Sequence, residues 1–293
     1  MKTPDELIDE LINLAFAEDI GEGDHTTFSC IPPDKTGKSC LIIKEDGLLA
    51  GVAVAKYVAQ KFDPRIQIDI LIPDGTEVKK GDIAFIMSGK IHSILQTERI
   101  ILNIMQRMSG IATLTRRYVH ALEGTKTQVL DTRKTTPGMR MLEKEAVRIG
   151  GGLNHRIGLY DMILLKDNHI DFAGNIEQAI ANTRHYLSEK GKNLKIEIEV
   201  RNFNELDEVL RVGGVDRIML DNFNIADTRE AVHRIAGRFE TESSGGITLD
   251  TLRDYADCGV DYISVGALTH SVKSLDMSLK IGGRESGVRS QEL

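Results

Sequence analysis

The sequence is poor in cysteine, lacks any long apolar run and has no surplus of positive charge. Its three cysteines, Cys30, Cys40 and Cys258, show no C-x-x-C spacing and leave an odd count. That argues against a disulfide framework or a thiolate zinc site and favours a reducing compartment. No apolar stretch approaches the roughly 20 residues needed to span a bilayer. Acids interrupt the N-terminal apolar face from Asp5 onward, which is unlike a signal peptide and makes the cytoplasm the expected location. The net charge of −7 argues against a nucleic-acid partner.

What is present is ordinary in bulk: 293 residues, 41% hydrophobic and 28% charged, enough for one large domain or two smaller ones. The opening run reads as a helix, with Thr3 and Glu6 at capping-box spacing, Pro4 at the first helical position and Gly21 as the stop. Leu7, Leu11, Leu14 and Ala15 are expected on its packed face. Strands dominate from Ser39 to Met87, and a long apolar-sided helix follows in "ERIILNIMQRMSGIATLTRRYVHAL". The stretch "LIPDGTEVKKGDIAFIMSG" has the turns of a lipoyl or biotinyl carrier module. Its Lys79 and Lys80 precede a glycine turn without a carrier motif, so a plain structural sheet is expected.

After about residue 125 the pattern becomes strand, polar loop, helix. The candidate strands are "TQVLDT", "DMILLK", "KIEIEV", "RIMLDN", "RFETESS" and "DYISVG". Strands alternating with helices imply parallel pairing. Charges at nearly every strand's C-terminal end favour an α/β barrel, whose strand ends meet at one mouth.

Those ends offer Arg133 and Lys134, then Lys166, Glu199, Asp221, the run Ser244, Gly245 and Gly246, and the pair Gly266 and Ala267; "GGGLNHRIG" adds His155 and Arg156. Within "KIEIEV", one of Glu197 and Glu199 is expected to face inward. Five cations and two acids at one mouth call for a highly anionic ligand. "ESSGGIT" and "VGALTHS" read as phosphate loops, with glycine backbone and a helix N-terminus behind each. Glu199 and Asp221 suit Mg²⁺ bridging a pyrophosphate, or ribose hydroxyls. A Schiff-base aldolase using Lys166 would leave Arg133, Lys134, His155 and Arg156 without a shared purpose.

Taken together, "ERIILNIMQRMSGIAT", "DTRKTTPGMR", "AVRIGGGLNHRIGLYDMILLKDNH", "EIEV", "IMLDN", "ESSGGIT" and "VDYISVGALTHS" closely resemble the quinolinate phosphoribosyltransferase family, in the family's order. The tail "GGRESGVRSQEL" matches no motif of that family. The resemblance implies an N-terminal α/β sandwich over residues 1–111, rejoined by about 272–293, and an incomplete, seven-strand α/β barrel over 112–271. It implies a homodimer in which Arg99 completes the neighbouring site, with quinolinate and phosphoribosyl pyrophosphate as substrates and Mg²⁺ as cofactor. It also implies residue roles. Arg133, His155, Arg156, Lys166 and the partner's Arg99 would surround quinolinate, with Thr132 among the substrate-binding residues. Lys134 and Lys166 would face pyrophosphate, and Glu199 and Asp221 would hold ribose and Mg²⁺. Ser244, Gly245, Gly246, Gly266, Ala267 and Leu268 would take the 5′-phosphate. Two other readings stay open at this stage: a relative acting on another anion such as nicotinate, and a non-catalytic barrel that binds a phosphorylated sugar.

Overall fold

The computed structural model describes residues 2–282, so residues 283–293 of the expected C-terminal return lie outside the described part. In chain order the elements begin with α1 (Pro4–Ile20), α2 (His25–Cys30), β1 (Thr36–Ile43), β2 (Gly47–Leu48), α3 (Val52–Phe62), β3 (Gln67–Ile70), β4 (Glu77–Val78) and β5 (Ile83–Lys90). They continue with α4 (Ile91–Ala121), β6 (Gln128–Leu130), α5 (Arg140–Ile149), β7 (Ile163–Leu165), α6 (Asp167–Ala173), α7 (Ile176–Glu189), β8 (Ile196–Val200) and α8 (Phe203–Val212). The last are β9 (Arg217–Asp221), α9 (Ile225–Ile235), β10 (Glu240–Ser244), α10 (Leu252–Ala256), β11 (Tyr262–Ser264), α11 (Ala267–His270) and β12 (Met277–Ile281).

The chain divides into two compact units. Of the described residues, one comprises 2–116, 135–151 and 269–282; the other comprises 117–134 and 152–268. The first unit is built on an antiparallel sheet of order β12-β1-β5-β3. Helix α1 starts as the sequence implies: Thr3 accepts from the Glu6 amide while the Glu6 carboxylate accepts from the Thr3 amide. Its packed face differs from the expected one. Ile12 is fully buried and the Phe16 ring packs tilted against Phe62, centroids 5.3 Å apart, whereas Leu14 is 63% exposed. Ile8, Ile12 and Phe16 recur every four residues, so the stripe turned inward lies one position round from the Leu7–Leu11 row. Lys79 and Lys80 sit in the turn between β4 and β5, where the Lys79 ammonium lies 3.1 Å from Asp46 and the Lys80 amide donates to the same carboxylate.

The second unit carries one parallel sheet of order β6-β11-β10-β9-β8-β7. Every one of the six strands expected after residue 125 is in it. Period two divides each strand between two environments. Ile196, Ile198, Val200, Ile218 and Leu220 enter an apolar core with Leu206 and Val209 of α8 and Ala231 and Ile235 of α9. The alternate residues form cross-strand rows: Glu197, Arg217 and Glu240; then Glu199, Met219, Glu242 and Tyr262; then Asp221 and Ser244.

This corrects the expectation for β8. Residues two apart share a face, so Glu197 and Glu199 both point to the polar side, and both are buried.

The sheet is strongly curled. Leu153 bridges Leu130 in parallel beyond the β6 edge, and the amide of His155 donates to Asp131 at the end of β6. In a flat sheet that edge would lie roughly 24 Å from β8, five strand spacings away. The His155 ring instead stands 2.9 Å from Glu197 of β8. Residues 153–162 span the remaining gap, since the Arg156 guanidinium donates to the Met162 carbonyl just before β7.

Candidate active site

Each strand of the curled sheet ends in residues that its loop then fixes. After β6, the Thr132 hydroxyl accepts from the Lys134 amide at 3.1 Å, a local turn that turns Arg133 and Lys134 out to solvent. Asp131 just before them is fully buried and accepts from the His155 amide at 2.8 Å. In the following loop the Asp161 carboxylate accepts from the amides of Ile157 and Gly158, which shapes the backbone beyond Arg156.

Arg156 is half-buried. Desolvation first, and the like charge of Arg133 second, push its guanidinium below the usual arginine range; Glu197 and Asp161 oppose this. Two arginines from separate segments are therefore near enough for their like charges to repel. An anion placed there would relieve that repulsion.

Lys166 follows β7 at the start of α6, and its ammonium lies 2.5 Å from a Glu199 oxygen. Asp221 closes β9 and accepts from the Asn222 side chain at 2.8 Å. The loop after β10 needs its glycines. Gly245 and Gly246 have φ of 104° and 62°, and a Cβ on Gly245 would stand 2.2 Å from Asn222 Oδ1. The helix behind this loop begins only at Leu252 and has five residues, so the helix dipole expected there acts from too far away to count. After β11, Gly266 leads straight into α11 at Ala267, and Leu268 is fully buried beneath it. Arg99 is exposed on α4, in the first unit. There it lines a cleft of about 330 Å³ with Leu11, Ala15, Ile100, Ile104 and Arg107.

Beneath the strand ends lies a buried network in which His155 is the one member expected from the sequence as a site residue. His155 Nε2 stands 2.9 Å from Glu197 and 3.5 Å from Glu242, and Arg217 Nη1 stands 3.0 Å from Glu242. Burial, reinforced by the neighbouring Glu197 charge, pushes the Glu242 carboxyl up to about 8. Burial also raises Glu197, against the pull of Arg217. His155, Glu197 and Glu242 bring ligand-type atoms within 4.8 Å of one another. A fixed guanidinium already balances that negative charge, so the cluster is an ion-pair network rather than a metal cage. The signal for it in the sequence was the alternation of charge in "IEIEV", "RIMLD" and "ETESS".

The curled parallel sheet, with cations and glycine turns at its strand ends, defines an α/β protein. Comparison with known proteins is more specific. Residues 24–109 match the family domain described as quinolinate phosphoribosyl transferase, N-terminal domain, and 111–280 match its C-terminal domain. A Nicotiana tabacum protein named quinolinate phosphoribosyltransferase [decarboxylating] 1b is 45% identical over 286 residues, covering 92% of this chain and 81% of its own. A Bacillus subtilis protein named probable nicotinate-nucleotide pyrophosphorylase [carboxylating] is 42% identical, covering 93% and 92%. The crystal structure of NadC from Streptococcus pyogenes superposes with a TM-score of 0.89 at 40% identity, over 96% of this chain and 97% of that one. The chain belongs to the quinolinate phosphoribosyltransferase family.

Proposed function

We propose that this chain converts quinolinate and phosphoribosyl pyrophosphate to nicotinate mononucleotide, pyrophosphate and CO₂, in the synthesis of NAD. The observation that carries the reading is the pair Arg133 and Arg156, two guanidinium groups from separate segments near enough for the charge of one to act on the other. A pyridine dicarboxylate needs two cationic forks, and arginine binds carboxylate in a planar, two-bonded geometry.

In this reading Arg133, Arg156, Lys166 and the Arg99 of a second copy surround the two carboxylates, with His155 beside Arg156. Thr132 orients the turn that carries Arg133 and Lys134. Lys134 and Lys166 face the pyrophosphate, and Glu199 and Asp221 face the ribose hydroxyls. Ser244 to Gly246 and Gly266 to Leu268 receive the 5′-phosphate; Gly245 and Gly246 take positive φ, which lets the backbone turn there with no Cβ in the way. Glu199 and Asp221 are an oxygen-only donor pair at neighbouring strand ends, which suits Mg²⁺. Bound there, the ion would offset charge on the leaving pyrophosphate, and Lys166 already provides a cation on Glu199. The incomplete seven-strand barrel, with Leu153 marking the seventh position, the homodimer and a cytoplasmic location belong to the same proposal. Among the described residues no helix is long and apolar enough to cross a membrane.

The chemistry asks for positioning rather than a protein nucleophile. Pyrophosphate leaves as positive charge develops on the ribose, and the pyridine nitrogen bonds to the anomeric carbon. The ring becomes cationic, so the adjacent carboxylate can leave as CO₂ and the carbon it vacates takes a proton. The fixed cations hold two mutually repelling substrates together at little reorganisation cost. Incubation with quinolinate, phosphoribosyl pyrophosphate and Mg²⁺ tests the reading. CO₂ and nucleotide should appear in equal amounts, and nicotinate should not replace quinolinate. Nucleotide from nicotinate without CO₂ from quinolinate would overturn it.

A further inference from the structure

The residue beside Arg156 has its polar atoms committed elsewhere. The His155 amide donates to the buried Asp131 carboxylate, and its Nδ1 accepts the Arg156 amide at 2.7 Å. A ring nitrogen that accepts a peptide N–H carries no proton, so the proton of a neutral imidazole is on Nε2. That nitrogen points into the sheet's polar side, 2.9 Å from Glu197 Oε2. The contact is close but bent, and the Glu242 carboxyl is a second group within hydrogen-bonding reach of Glu197. A fully buried carboxylate in that position costs several kcal/mol of desolvation unless cations or N–H groups meet it. Arg217 supplies the cation: it lies across the strand pair from Glu197, 3.0 Å from Glu242 and 3.2 Å from Glu240, and covers the Tyr262 ring at 4.1 Å.

We infer that His155 is a positioning residue rather than a substrate contact, and that Arg217, Glu242 and Glu197 hold its imidazole so that its Nδ1 fixes the Arg156 peptide. The inference rests on the proposed function, because Arg156 is the group that the network presents to a substrate carboxylate. It also departs from what the family resemblance implies for His155. An imidazole aimed at a carboxylate ligand would keep a donor on the ligand side; here the ring's donor is turned away, toward Glu197. The network is costly to bury, and its members link Arg217 through Glu242, Glu197 and His155 to the Arg156 peptide.

Two measurements test this. In protein labelled with ¹⁵N-histidine, with His155 assigned through its backbone connectivities, the free enzyme should show one protonated ring nitrogen, Nε2, and an unprotonated Nδ1. That pattern should survive addition of quinolinate. A ring protonated on both nitrogens, or one whose tautomer changes when quinolinate binds, overturns the inference and makes His155 a direct contact. In the second measurement, Glu197→Met removes the acceptor at nearly constant volume and Glu197→Gln restores one. The Met variant should raise KM for quinolinate about tenfold or more, the scale of a hydrogen bond to a charged group. KM for phosphoribosyl pyrophosphate should stay within about twofold, and the Gln variant should recover most of the loss. Equal effects on both substrates, or no recovery in the Gln variant, would mean that Glu197 serves only the fold. If the unaltered protein releases no CO₂ from quinolinate, the proposed function falls, while the tautomer measurement still decides the network.

Discussion

Ile198 and Glu197 are neighbours in one strand, both fully buried, on opposite faces of the same sheet. The apolar face gains about 1.5–3 kcal/mol for each large aliphatic side chain removed from water. The polar face does the reverse, burying Glu197 and Glu242 where α/β barrels ordinarily stack Val, Ile and Leu. A sheet that needed only to be stable would make both faces alike. The difference separates residues that hold the fold from residues whose burial costs stability and is offset by ion pairs. The second set leads to the strand ends.

The comparison breaks most sharply at Arg217. Arg217→Met leaves Glu197 and Glu242 without their cation, and removing one partner of a buried pair costs about 3–5 kcal/mol. Ile198→Ala on the other face should cost about 2–5 kcal/mol by loss of burial and the cavity left behind. Urea midpoints measure both. The two variants should differ in kind: folded Ile198→Ala keeps its quinolinate KM, whereas folded Arg217→Met does not. Equal KM values in the two would erase the functional distinction between the faces.

At the strand ends the expected effect falls on binding. Arg133→Lys keeps the charge but loses the planar fork, and should weaken quinolinate by about 1.5–3 kcal/mol while leaving the urea midpoint unchanged. Calorimetric titration measures it. An unchanged quinolinate affinity would remove Arg133 from the site.

How much of this was legible follows from which physical rule each feature obeys. The six strands of the second unit were readable because local alternation and punctuation define them; β8 to β11 begin at residues 196, 217, 240 and 262, each one compact strand–helix unit after the last. The charged strand ends were readable for the same reason. The pairing of Glu197 with His155 was not, because it depends on the sheet curling until one edge meets the other, and register across five strands leaves no local mark. Glu197 was within reach, since residues two apart in a strand share a face whatever the tertiary structure. Leu14 shows the complementary limit: α1 has two adjacent apolar rows, and only the partner surface decides which is buried.

The most gradual expected effect, spread over several pH units, concerns the proton on Glu242, and its sign is fixed by the burial. An ordinary glutamate in the unfolded chain titrates near 4.3; in the fold, desolvation and the Glu197 charge push Glu242 up to about 8. Between those values the folded protein holds a proton that the unfolded chain has released. This contribution is therefore fully present below about pH 4.3 and is lost as pH rises toward 8. The slope from one such group cannot exceed about 1.4 kcal/mol per pH unit, and coupling to Glu197 will spread it. Glu242→Gln mimics the protonated carboxyl and cannot release it. The stability of the original protein minus that of Glu242→Gln should thus decline between about pH 5 and 8, with the two closest in structure where the glutamate is neutral. Urea unfolding of both proteins across that range gives the difference directly. A difference that stays flat or rises with pH would mean that Glu242 is ionised throughout, and the buried face would then carry one more full charge than Arg217 balances.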